Sequence, residues 1–385
     1  MLTARYSVIQ SSYWAAFCLI ISFANVFLLA RGMTTSQIGV LVAVAGTMAT
    51  VLQPIVAGVA DRSRAPLRLW VALGGVALAG LAVAVLPLDR GLLLAILYGL
   101  MVAAIQIIQP LVNSLSMAAI SRGYAVNFGL ARAFGSLSFA VVSLAAGAIV
   151  DATSVDSLPV MMLVFHALFV GFSATFVLRR RPVSVEQDGA PHAEAPDNPP
   201  LDRRRQRLLV LLILGLTLAM TSHGMINTFM FQIVDHHGGT AAAMGIALTI
   251  AAVTELPAMS LWDKIMTRWT PGTMLVLAGI VFAVKNLAML LAPNLTVIYL
   301  SQLLQFACFA IAIPGTVYYV NRLLPRALQV RGQSYMTMTI SAGSVIGSLF
   351  GGWLIDFSGV PTMLLAGTVV ATAGAALIWG GAERR

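Results

Sequence analysis

Apolar residues run along the chain in twelve blocks, at roughly 12–30, 36–59, 68–87, 92–119, 128–150, 158–178, 208–234, 240–262, 272–292, 295–320, 333–355 and 361–380. Block after block reaches the roughly 17–25 residues with which a helix crosses about 30 Å of hydrocarbon. The blocks do not alternate with a period of two, as the roughly 10-residue strands of a membrane barrel would. The pattern therefore predicts an all-α membrane protein of twelve transmembrane helices. One polar stretch, 179–207, interrupts it, with Pro182, Pro191, Pro196, Pro199, Pro200 and five acids set between two basic clusters. That composition describes a disordered cytoplasmic linker. The expected division is a six-helix bundle over 1–178, the linker 179–207, and a second six-helix bundle over 208–385.

The two halves repeat one another. Gln53-Pro54 starts eight residues before Asp61-Arg62, and Glu255-Leu256-Pro257 starts eight residues before Asp263-Lys264. Pro110 precedes Asp151 by 41 residues, and Pro314 precedes Asp356 by 42. Halves of like orientation joined by a flexible segment predict a pseudo-symmetric transporter with its site at the midplane between the bundles.

Composition agrees: 59% of residues are hydrophobic and 10% charged, with a mean hydropathy of +0.90, against about 25% charged in soluble domains. The net charge of +9 does not make a nucleic-acid face. Of the 23 Lys and Arg, only Arg31 and Arg90 fall in one set of loops and only Arg132 and Lys285 within spans. The others occupy the termini and the alternate loops, which places both termini in the cytoplasm by the positive-inside rule. The N-terminus lacks a cleavable signal pattern. The two cysteines, Cys18 and Cys308, both sit in spans and imply no disulfide framework.

Three formal charges lie deep in the spans: Arg132, Glu255 and Lys285. Each costs roughly 2.5–3.5 kcal/mol at the bilayer centre and persists only where it is paired or faces a polar cavity. Ser136 and Phe139 follow Arg132 at i+4 and i+7, which puts guanidinium, hydroxyl and ring on one helix face. Glu255 is the one acid within hydrocarbon; it reads as a proton carrier or substrate ligand, or as a salt-bridge partner of Arg132 across the bundles. Lys285 makes the cavity net positive when all three are ionised. The fourth span carries Gln106, Gln109, Asn113 and Ser116 on one face, the tenth Gln302 and Gln305, and the seventh His223 and Asn227. Gly343, Gly347 and Gly351 let the eleventh helix approach a neighbour closely.

The segment Asn127-Phe128-Gly129-Leu130-Ala131-Arg132-Ala133-Phe134-Gly135-Ser136, the stretch Val253-Thr254-Glu255-Leu256 and the loop Ala57-Gly58-Val59-Ala60-Asp61-Arg62 resemble the major facilitator superfamily. The similarity is to its branch of oligosaccharide:proton symporters, the lactose and phenylpropionate permease type. The resemblance implies alternating access, with Arg132 and Glu255 as the coupling pair. Together with the polar faces above, it points to substrate contacts from Arg132, Glu255, Asn113, Phe139, Gln109, Lys285, Asn227 and Gln305, and to conformational roles for Asp61, Arg62, Asp263 and Lys264. The chain departs from that branch at several points. Asn113 stands where it has a fourth-helix glutamate, Phe139 where it has a stacking tryptophan, and Leu304 or Gln305 and Ala307 where it has a histidine and a carboxylate. Proton coupling would then fall mainly to Glu255.

The function expected is secondary transport across the cytoplasmic (inner) membrane, by proton symport of a sugar or oligosaccharide. An organic-anion or nucleoside permease, a drug efflux antiporter and a non-transporting membrane sensor are the alternatives. There is no Walker-type loop, zinc-ligand spacing or G-x-S-x-G elbow. No enzymatic activity, cofactor or metal is expected. The partners expected are a small-molecule substrate, protons and the lipid bilayer, with no nucleic acid and the chain acting as a monomer.

Overall fold

The computed structural model describes residues 2–178, 202–260 and 268–383. Every regular element among them is helical. The first, α1, is broken: Leu2–Phe17, a π turn Cys18–Ser22, then Ala24–Ala30 at 44°. There follow α2 Thr35–Arg62, α3 Leu67–Val85, α4 Leu92–Ile120, α5 Phe128–Ala152 and α6 Ser157–Ala174. In the second half, α7 is Arg203–Thr228 continued past Phe229 by Met230–His236, and α8 is Ala241–Ser260. Next come α9 Pro271–Leu290 and α10, which runs Leu295–Leu303, a 3-10 turn Leu304–Phe306, then Phe309–Leu323. Last are α11 Arg326–Ser358 and α12 Val360–Gly381. Among the described residues, ten helices are long and apolar enough to cross a membrane, the bent pair in α1 makes an eleventh when taken as one span, and Ala241–Pro257 of α8 is a shorter apolar helix. That is consistent with twelve spans. The side chains turned outward, such as Val44, Leu73, Val160 and Val369, are large and apolar, as a lipid-facing surface requires.

Three helices start earlier than hydropathy places them. The first begins ten residues before the apolar block, at Leu2. Its early turns are polar, yet Tyr6 and Gln10 are fully buried inside the bundle, and Arg5 donates to the carbonyl of Thr175, just past the end of α6, at 3.1 Å. Likewise α7 takes in Arg203 to Arg207, which the pattern assigns to the linker, and α11 starts at Arg326. Of the linker, residues 179–201 lie outside the described residues, as do Asp263 and Lys264.

The two bundles meet chiefly along two seams, α5 with α8 and α2 with α11. The hydrogen bonds and glycine contacts of both seams lie toward the end of the molecule remote from the chain termini, here called the distal end. Thr249 Oγ1 donates to the Ala140 carbonyl at 2.8 Å, and Ala242 N donates to Asp151 Oδ2 at 3.0 Å. Thr35 N and Ser36 N donate to the two carboxylate oxygens of Asp356 at 3.2 and 2.7 Å. Gly39 faces the Ser348 carbonyl and Gly245 the Ser143 carbonyl so closely that a Cβ at either would collide with backbone. Small residues permit this contact, which stabilises helix pairs by van der Waals packing where lipid offers no hydrophobic drive. Between α1 and α7, Asn25 Nδ2 donates to the Thr228 carbonyl and Gln232 Nε2 donates to Asn25 Oδ1.

The buried core follows the same division. One continuous cluster unites the first bundle with the distal parts of the second, through Phe229, Ile233, Met244 and Leu248. The terminal half of the second bundle forms a separate core around Leu212, Phe282 and Val320. The bundles are thus joined distally and part toward the termini.

Candidate functional site

Arg132 and Glu255 lie beyond the Thr249–Ala140 hydrogen bond of the α5–α8 seam, on its terminal side. At about 1.5 Å per residue, Glu255 is about 9 Å past Thr249 and Arg132 about 12 Å from Ala140, both toward the termini. This is the level at which the bundles begin to diverge.

On the first-bundle wall, Asn127 caps α5 by accepting from Leu130 N at 2.9 Å, so that Arg132 falls in the second turn. Its guanidinium lies 4.0 Å over the Trp14 ring and donates to Ser136 Oγ at 2.9 Å. Trp14 Nε1 donates to Gln10 Oε1 at 3.1 Å, and Gln10 Nε2 donates to Asn113 Oδ1 at 3.2 Å and to the Tyr6 hydroxyl at 2.6 Å. Tyr6 donates onward to the Val112 carbonyl at 3.2 Å. The result is one polar network across α1, α4 and α5. Gly135 makes it fit, because a Cβ there would stand 2.6 Å from Trp14 Cδ1.

On the second-bundle wall, α10 loses its regular α-helical form around Gln305, between Leu303 and Phe309. Irregular backbone at mid-membrane survives only where it is buried in protein or lines a cavity. Gln305 uses both ends of its amide. Lys285 Nζ donates to its Oε1 at 2.6 Å, and its Nε2 donates to Glu255 Oε1 at 2.9 Å. Lys285 is 1% exposed, whereas Glu255 is only half-buried. Nearby, His223 stacks on Phe309 with ring centroids 4.7 Å apart, and the amide of Asn227 meets His223 Nε2 at 2.7 Å. Asn227 itself is exposed.

The expected Arg132–Glu255 salt bridge is not formed in this conformation. Ion pairs closer than 4.0 Å among the described residues join Arg31 to Asp89 and Asp156, and Arg204 to Glu383. The two midplane charges act on each other coulombically but are held on opposite walls, Arg132 by Trp14 and Ser136, Glu255 by Gln305. Gln109 and Phe139 are half-buried, and Phe139 packs against the first-bundle core. Asp61 and Arg62 are exposed where α2 ends, far from this cluster along the helix. Among the described residues, no group of three His, Cys, Asp or Glu is placed to hold a metal ion.

Sequence reasoning missed Trp14, Gln10 and Tyr6. Their spacing of four is legible, but hydropathy starts the first span at 12 and leaves Tyr6 and Gln10 outside any helix.

The chain matches the model of the MFS_1 like family over residues 4–365. It belongs to that family. Among its relatives is the maltose permease of Geobacillus stearothermophilus, 28% identical over 312 residues, 79% of this chain and 75% of that protein. Multidrug resistance protein 2 of Bacillus subtilis (strain 168) is 22% identical over 155 residues, 40% of this chain and 38% of that one. In fold, the nucleoside transporter NupG superposes with a TM-score of 0.80 at 13% identity, covering 99% of this chain and 98% of that one. The chain is a multi-pass membrane protein and a secondary transporter of the major facilitator type, not an enzyme.

Proposed function

We propose that this MFS_1 like protein carries a sugar or oligosaccharide across the cytoplasmic membrane by proton symport. The observation that carries the reading is the make-up of the two walls. Trp14 offers an aromatic face beside the Arg132 guanidinium, and Asn113, Gln109 and Asn227, which are half-buried or exposed, add amides that both donate and accept, while the buried amides of Gln10 and Gln305 hold the two walls from behind. Sugars are bound by this combination of ring faces and planar hydrogen-bonding groups. The 28% identity to a maltose permease points the same way.

Glu255 carries the proton in this scheme. Among the described residues it is the one acid deep within a span, and the one hydrogen bond its carboxylate makes to them comes from a neutral amide rather than a cation. In this reading both termini are cytoplasmic, the closed distal end is external, and the conformation is the inward-facing one of an alternating-access cycle. The first bundle spans 1–178 and the second 208–385, and one chain contains the whole site, so a monomer suffices.

Purified protein in liposomes, assayed for uptake of labelled maltose and other sugars with and without an imposed proton gradient, tests this. Accumulation that collapses with the gradient supports symport, and no sugar uptake under either condition would sink the reading. A second reading, an organic-anion permease, is favoured by the two cations facing one carboxylate; labelled aromatic acids in the same assay address it.

A further inference from the structure

The start of α2 and the start of α8 are both clasped by a carboxylate from the opposite bundle. The first-turn N–H groups of a helix have no partner within the helix, and they carry the positive end of its dipole. At α2 the donors can be followed one by one. The Thr34 N–H donates to Gln37 Oε1 at 2.9 Å, and Gln37 N donates to Thr34 Oγ1 at 3.3 Å, a closed capping box. The two donors between them, Thr35 N and Ser36 N, have no partner in their own bundle and go to Asp356 at the end of α11. At α8, Ala242 N goes to Asp151 at the end of α5.

These clasps are related by the internal repeat. Gly352 stands four residues before Asp356 and Gly147 four before Asp151. Gly39 stands four after Thr35 and Gly245 four after Ala241. Each glycine faces backbone across its seam: Gly39 meets Ser348, Gly352 meets Thr35, Gly245 meets Ser143 and Gly147 meets Ala241. The same device, a carboxylate over a helix start with glycine contacts one turn away, is therefore built twice around a pseudo-two-fold axis. Both carboxylates are exposed, so their bonds can be exchanged for water when the seams part.

We propose that Asp151 and Asp356 are positioning residues of the transport cycle: together they latch the distal gate, and the gate opens when both release the helix starts they clasp. This rests on the alternating-access reading above. Neither residue touches the candidate site, so their effect is on which face the site is open to rather than on substrate contacts.

The test uses the full chain in liposomes without substrate. Nitroxide labels on Arg90→Cys, in the α3–α4 connection, and Pro293→Cys, in the α9–α10 connection, report the distance between the bundles at the distal end by double electron–electron resonance. Native Cys18 and Cys308 are buried, and protein lacking the introduced pair shows any background. Asp151→Ala/Asp356→Ala is expected to raise the open-to-closed ratio about tenfold or more, with each single variant giving less. Should the alanine pair not fold, Asp151→Asn/Asp356→Asn keeps the shape and an acceptor oxygen, and a smaller shift in the same direction is expected. Asp156→Ala, whose bond to Arg31 stays within the first bundle, is expected to leave the distances unchanged. Parental distances in the folded double variant overturn the latch, as does an equal shift in Asp156→Ala. The readout needs no transport: a shifted distance without sugar uptake sinks only the sugar reading, and unshifted distances with intact uptake sink only the latch.

Discussion

Gln305 accepts a 2.6 Å hydrogen bond from Lys285 Nζ and, through the other end of the same amide, donates to Glu255. A neutral side chain thereby links a buried cation to a carboxylate at the cleft. If Glu255 takes up a proton, its oxygen becomes a weaker acceptor and the amide's hold on both neighbours changes. Lys285 is in this way tied to the proposed coupling residue.

Gln305→Leu removes the one acceptor of Lys285 Nζ among the described residues. Leaving a buried charged donor without its partner costs about 2–3 kcal/mol. The variant is expected to unfold at lower temperature than the parent and to lose uptake, whereas Gln305→Glu, which restores the acceptor for Lys285 but not the donor to Glu255, regains part of the thermal stability. Equal melting temperatures for Gln305→Leu and the parent would show that Lys285 does not depend on this bond.

Glu255→Gln keeps the shape and an acceptor for Gln305 but takes no proton. Exchange of sugar across the membrane is expected to persist while accumulation against a gradient is abolished. A variant that still concentrates sugar in response to an imposed proton gradient would exclude Glu255 as the coupling group.

Trp14→Ala removes both the ring under Arg132 and the donor to Gln10. A cation–π contact away from bulk water is worth about 1–2 kcal/mol, so sugar affinity is expected to fall roughly five- to thirty-fold. Trp14→Phe, keeping a ring but not the N–H, is expected to fall between. Competition binding with a labelled sugar measures both, and an unchanged affinity in Trp14→Ala removes this wall from the site.

Gly135→Ala acts on the same wall from behind. The new methyl would sit 2.6 Å from Trp14 Cδ1, so the indole must move off Arg132. The expected loss of affinity is comparable with that of Trp14→Ala, while Gly171→Ala, at an open position with nothing within 4 Å, is expected to be silent.

Orientation in the membrane is open to a direct check. A phosphatase fused after Arg385 is expected to be inactive, and one fused in the loop at Arg90 active, because the enzyme folds only outside the cytoplasm. The reverse pattern would turn the distal end inward and invert the state described here.

Much of this architecture was legible along the chain, and the misses share a cause. Hydropathy located the spans because each must present about 30 Å of apolar surface to lipid. It placed the start of α1 too late because Tyr6 and Gln10 face other helices, where polarity is satisfied by Val112 and Asn113 rather than by water. The motif repeat paired Gln53 with Glu255. When the seams are superposed, with Asp151 on Asp356 and Ala241 on Thr35, Ala49 falls opposite Glu255, and Gln53 lies one turn further along. A one-turn displacement keeps the same face of the helix. Gln53 accordingly reaches α4, where its Nε2 donates to the Gln106 carbonyl at 3.0 Å, much as Glu255 meets α10.

By itself the sequence determined the membrane class, the two-fold repeat and the three midplane charges, since each follows from what hydrocarbon tolerates at a given position. Which partners those charges take was decided only by the tertiary structure. Arg132 lies on Trp14 and Lys285 reaches Glu255 through Gln305, while the expected Arg132–Glu255 bond is absent from this state. A side chain's partner depends on how far the facing bundle has rocked, and that relation between two rigid bodies is not written in the order of residues within either one.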